Sequence, residues 1–136
     1  MKKQAVLFCM ITGLLIIACS KEVTSERFRL LTTPVWASDS ILANGAEPAG
    51  TWVFLKRFSG EAKFNEDFTG YFGKFKGQWR MNQDETEITI ITDSLPLPIV
   101  TDIILLTSRD LKIDTSVTYP LNHDESADIR MTFKAK

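Results

Sequence analysis

Few side chains here could do chemistry. His123 is the single histidine of the 136-residue chain, and Asp124 and Glu125 stand beside it, so the residue types of a metal site are present. Consecutive residues on a strand point to opposite faces, and no second histidine or thiol joins them. The stretch therefore reads as a solvated loop, not a ligand set. A Ser–His–Asp triad would need this same histidine, and no Gly-x-Ser-x-Gly turn exists to present a serine. Asn65-Glu66-Asp67 and Asn82-Gln83-Asp84-Glu85 place their oxygens on adjacent residues instead of alternate ones, which suits turns better than calcium loops. A carboxylate pair for glycoside hydrolysis stays open, but nothing marks two of the 17 acids as partners. The expectation is a protein that is not an enzyme, with no catalytic residues, no metal and no cofactor.

Aromatic side chains are the remaining candidates. Among 9 Phe, 3 Trp and 2 Tyr, the residues Phe54, Phe58, Phe64, Phe68, Phe72 and Phe75 crowd into one third of the chain. Two readings compete. In one, Trp52, Phe54, Phe64, Trp79, Met81 and Ile90 line an apolar cavity for an acyl chain or another small hydrophobic molecule. In the other, the rings simply fill the interior of a small barrel. The run Tyr71-Phe72-Gly73-Lys74-Phe75-Lys76 interleaves rings with lysines, but the net charge of −1 offers no field for nucleic acid, so it reads as a strand with one wet face.

The amino terminus reads as an address. Lys2 and Lys3 form a charged start, and Ala5 to Ala18 is apolar but too short to span a bilayer comfortably. It closes on Ile16-Ile17-Ala18-Cys19, which resembles the lipobox of bacterial lipoproteins: a branched aliphatic residue three before the cysteine and a small residue directly before it. The resemblance implies that Cys19 is the lipid attachment site. Its sulfur would be alkylated by a diacylglycerol, and its amine, freed by cleavage, would be open to a further chain such as palmitate. Several chains at about 0.8 kcal/mol per buried methylene make a lasting anchor where one is marginal. A plain secretory signal and an uncleaved membrane anchor are the alternatives. Ser20 does not carry the usual signal for inner-membrane retention, so the expected location is the bacterial cell envelope, at the outer membrane. The expected organisation is a signal peptide over 1–18, a lipidated tether over 19–27 and a folded domain over 28–136. Removal of 1–18 would take Lys2, Lys3 and Cys9 with it, leaving 14 basic against 17 acidic side chains, a net −3, and no second cysteine for a disulfide. A hydrophobic core must hold the fold.

Beyond the tether the apolar period is two. Ile129, Met131, Phe133 and Ala135 fall on one face, opposite Asp128, Arg130, Thr132, Lys134 and Lys136. Leu111 and Ile113, Ile88 and Ile90, Trp79 and Met81 alternate in the same way. Trp52, Phe54 and Phe58 share a parity opposite Val53, Leu55 and Arg57. Strands are expected near 29–42, 51–58, 61–66, 68–76, 77–82, 86–92, 99–107, 110–118 and 127–135, with 61–66 and 68–76 open to being one bent strand. Turns fall at Asn82–Glu85 and Ser108–Asp110. Pro96 and Pro98 exclude their segment from a central strand. Many short strands joined by hairpins suggest an antiparallel meander, and closing it removes aggregation-prone edges.

The order of features resembles the lipocalin-like domains of small bacterial lipoproteins, over roughly residues 28–136. Leu30-Leu31-Thr32-Thr33-Pro34-Val35-Trp36 is followed by a glycine-containing loop, then Phe64–Gly70, Gly77-Gln78-Trp79 and Leu105–Ile113. Gly50-Thr51-Trp52 matches the Gly-x-Trp signature of a first lipocalin strand. Trp36 and Trp52 compete for that role, and Arg109 and Arg130 for the arginine packed over it. The resemblance implies an all-β, up-and-down meander closing into a barrel of about eight strands, with any ligand in its mouth. The functional expectation is a membrane-anchored binding module for a small apolar ligand. The alternative is an interaction protein that meets another envelope component through loops 43–50, 92–99 and 119–126.

Overall fold

Alternating apolar and polar residues can hide one face of a strand only if a sheet wraps around that face, and here the wrapping is complete. In a computed structural model, which describes residues 24–118 and 125–136, eight antiparallel strands close into a barrel in simple chain order. They are β1 (Trp36–Ala43), β2 (Glu61–Phe64), β3 (Thr69–Phe72), β4 (Phe75–Met81), β5 (Glu87–Thr92), β6 (Ile99–Leu106), β7 (Asp110–Thr118) and β8 (Ser126–Ala135). β8 returns to pair with β1 from Trp36↔Ala135 to Ala43↔Ile129, with a bulge between Ser38 and Ser40. The expected up-and-down barrel is thus the observed fold. The expected signal segment 1–18, Cys19 and most of the expected tether lie outside the described residues.

One expected strand, and the beginning of another, are corrected to helix. The segment 29–42 divides into α1 (Glu26–Thr32) and β1. Ser25 caps α1, its Oγ accepting from the Phe28 N–H at 3.0 Å, and Glu26 sits favourably in the first turn. The segment 51–58 is a 3₁₀ helix, η1 (Gly50–Phe58). Trp52, Leu55 and Phe58 recur every third residue, the repeat of that helix, and the sequence parity of Trp52, Phe54 and Phe58 concealed it. The segments 68–76 and 77–82 are redivided at Gly73-Lys74, giving β3 and β4.

Alternate connections lie at alternate ends of the barrel. One end carries α1 and the turns 65–68, 82–86 and 107–109. Here the barrel is plugged. Trp36 is wholly buried and donates its indole N–H to the Leu31 carbonyl at 2.9 Å. Phe28 packs on Trp79 and Phe68 with ring centroids 5.6 and 5.8 Å apart. Lys63 Nζ donates to the carbonyls of Thr32, Thr33 and Pro34, satisfying the end of α1. Trp36, not Trp52, is therefore the first-strand tryptophan. Arg130 lies on the outer wall, held by Asp114.

Above the plug the interior is packed. Phe64 meets Trp79 edge-on at 5.4 Å, and Ile88, Leu111, Ile113, Ile129, Met131 and Phe133 fill the remaining inner positions. Gly77 lets β4 and β5 approach closely, since a Cβ there would stand 1.9 Å from the Ile91 carbonyl oxygen. Trp79 joins plug and core, and its indole N–H donates to Asn65 O at 3.0 Å. Trp79→Ala is expected to cost about 3–5 kcal/mol of unfolding free energy, measured by urea denaturation; a near-neutral result would mean these ring contacts do not hold the barrel.

Candidate binding cavity at the barrel mouth

The opposite end is built differently. It carries the long β1–β2 connection with η1, the β3–β4 turn at Gly73-Lys74, the β5–β6 loop 93–98, and the end of β7 and start of β8. β1 and β2 share only the pairs Trp36↔Ala62 and Ala37↔Glu61, so the wall is low there, and η1 covers it. Leu55 and Phe58 are buried, Phe58 against Phe75 with centroids 4.4 Å apart. The β3–β4 turn clamps the end of η1. The Lys74 N–H donates to Arg57 O at 2.8 Å, and Gly73, at φ +59°, approaches so closely that a Cβ would lie 2.2 Å from that same oxygen.

Between η1, the 93–98 loop and the upper ends of β6 and β7 lies a cavity of about 970 Å³. Phe75 forms part of its wall, with Phe54 and Val53 from η1, Leu95 and Leu97 from the loop, and Ile99 and Val117 from the sheet. Pro96 and Pro98 fix φ on either side of Leu97, which stays 62 % exposed at the rim. Hydroxyls of Thr51, Ser94 and Thr118 interrupt this apolar lining, while Thr115 Oγ1 donates to Val100 O at 2.6 Å and Ser116 Oγ to Asp128 Oδ1 at 2.5 Å. Arg57 is the only charged side chain among the described lining residues. Such a surface can desolvate an apolar molecule and hydrogen-bond it at its edge; the described lining holds no carboxylate, histidine or thiol to move a proton.

Of the six lining residues expected from sequence, Phe54 lies in this cavity. Phe64, Trp79 and Ile90 belong to the packed interior, and Met81 sits half-buried at the plugged end of β4. Trp52 is half-buried on η1 beside Phe54, centroids 6.3 Å apart. Sequence reasoning missed Ile99 and Val117, whose alternation matches that of core positions, and the two prolines were the available signal. Loops 43–50 and 92–99 both fall at this mouth, and 119–124, with His123, lie outside the described residues.

A second, more polar groove of about 550 Å³ runs outside the wall between β1, β6, β7 and β8. There Arg130 grips Asp114 through two nitrogens at 2.8 and 2.9 Å, and this hydrogen-bonded contact holds the Asp114 carboxyl below its ordinary pKa. Among the described residues no group of three or more potential metal ligands gathers. Asp67 accepts from the Thr69 hydroxyl and N–H, which lowers its pKa, and Asn82 Oδ1 accepts from the N–H groups of Thr86 and Glu87. Both acidic runs are thus turns.

No protein-family model matches the chain. No curated protein matches its sequence. The geometry alone therefore carries the functional argument.

One buried side-chain polar atom among the described residues is without a partner: Thr92 Oγ1, at the end of β5 where the cavity loop begins. Thr101, also buried, donates its hydroxyl to Ile88 O at 3.0 Å. Thr92→Val is expected to be neutral or stabilising by up to about 1 kcal/mol, whereas Thr101→Val should lose about 1 kcal/mol. Paired urea melts check the contrast, and equal losses would show that the Thr92 hydroxyl is satisfied in solution.

Proposed function

We propose that this chain is a lipocalin-like lipoprotein of the bacterial cell envelope, tethered through acyl chains on Cys19, that shelters a small hydrophobic molecule at its barrel mouth without acting on it chemically. The cavity carries this reading. It is apolar, is open on one side, and lies within the roughly 300–1,000 Å³ range of small-molecule sites. The asymmetry of the barrel supports it too, since one end is stoppered by α1 and tryptophan while the other is left to solvent. Binding would proceed by burial of apolar surface at about 25 cal/mol per Å², with the rim hydroxyls orienting the ligand. A protein partner from the envelope is the second reading, favoured by the exposure of Val53, Leu97 and Val100 beside the same opening.

The uncharged dye N-phenyl-1-naphthylamine tests the first reading. The chain produced from Ser20 onward retains every described strand and helix and is the form to titrate. Dye fluorescence should rise saturably, and Val117→Trp, which projects an indole into the cavity, should weaken binding at least about tenfold with little change in melting temperature. No saturable binding would overturn the ligand reading and leave the partner reading standing. For the anchor, Cys19→Ala is expected to move the protein from the membrane fraction to the soluble fraction; undiminished membrane attachment would remove the lipid from the account.

A further inference from the structure

Arg57 stands apart from the other described cations whose contacts define the fold. Lys134 and Lys136 meet Asp110 and Glu61, Arg130 meets Asp114, Lys63 caps α1, and Arg27 donates to Glu85 O. No described carboxylate pairs with Arg57, and its N–H groups donate to no described residue. It is nevertheless held in place. Its guanidinium lies over the Phe75 ring at 4.8 Å from the centroid, and its backbone is clamped by the β3–β4 turn. Phe75 is itself a wall of the cavity. A planar, unpaired fork of donors, exposed but stacked on Phe75, thus edges an otherwise uncharged apolar space.

From this we infer that the occupant is a single-chain amphiphile with an anionic head, its tail against Phe54, Leu95, Ile99 and Val117 and its carboxylate or phosphate on Arg57. The inference rests on the proposed binding function and adds the ligand's chemical class. Guanidinium matches both oxyanions through two parallel N–H···O bonds, and such charge-assisted bonds are about twice as strong as neutral ones. The cavity has a single charged pole among its described residues, which suits one headgroup at one end of one chain. Stacking on Phe75 restricts the arginine before the ligand arrives, so less side-chain entropy is lost on binding.

The test is displacement of N-phenyl-1-naphthylamine from the chain starting at Ser20, by oleate, oleoyl lysophosphatidate and oleyl alcohol, all kept below their aggregation thresholds. Either anionic probe should displace the dye at a concentration about tenfold lower than the alcohol, and the better of the two identifies a fatty acid or a lysophospholipid as the source. Arg57→Gln should abolish this preference while the alcohol still displaces, and Arg57→Lys should keep a reduced preference. Equal displacement by the alcohol in the wild-type chain would overturn the headgroup inference and leave hydrophobic binding intact. A preference surviving in Arg57→Gln would overturn the assignment to Arg57. Failure of all three probes and of the dye would overturn both readings together.

Discussion

The ladder between β1 and β8 is the interaction on which the rest depends. Without it the same eight strands would form an open sheet with two unpaired edges and one greasy face. With it, each strand finds two neighbours, and the alternation in the sequence becomes a division between inside and outside. Arg130–Asp114 and Lys134–Asp110 fasten the adjoining β7–β8 seam on the wet side, but exposed pairs of this kind add little; the ladder and the rings beneath it hold the closure.

Closure alone does not make a site. Eight strands enclose a space that side chains can just fill, and over most of the height they fill it. The cavity exists because β2 and β3 have only four residues each. That low wall needs η1 as a cover, and η1 spends Leu55 and Phe58 on the core while Val53, Phe54 and Arg57 border the open space. The site is thus a by-product of unequal strand lengths, held in shape by one glycine turn.

Strands that bury one face announced themselves. β5, β7 and β8 were readable almost to the residue, because polar and apolar side chains alternate along them with few exceptions. The helices were harder. In η1 the same residues satisfy a repeat of two through Trp52, Phe54 and Phe58 and a repeat of three through Trp52, Leu55 and Phe58. Only tertiary packing decides between them. α1 was hidden because Leu30 and Leu31 run almost directly into the apolar start of β1. The mouth was legible only in Phe54 and the prolines, since an inward Ile99 looks the same in sequence whether it meets another side chain or an opening. Arg57 could not be singled out, because the absence of a nearby acid is a fact of three dimensions.

Under the proposed anchor, the stopper at the base also sets a direction. The described chain begins at Thr24, just before α1, at the end of the barrel opposite the opening. Four residues, hence five Cα-to-Cα steps, separate Cys19 from that point, a reach of at most about 18 Å at full extension. A protein moored there would stand with its sealed floor toward the bilayer and its doorway toward the surrounding fluid. Cargo would then arrive from, and leave to, the aqueous side instead of being lifted out of the leaflet below.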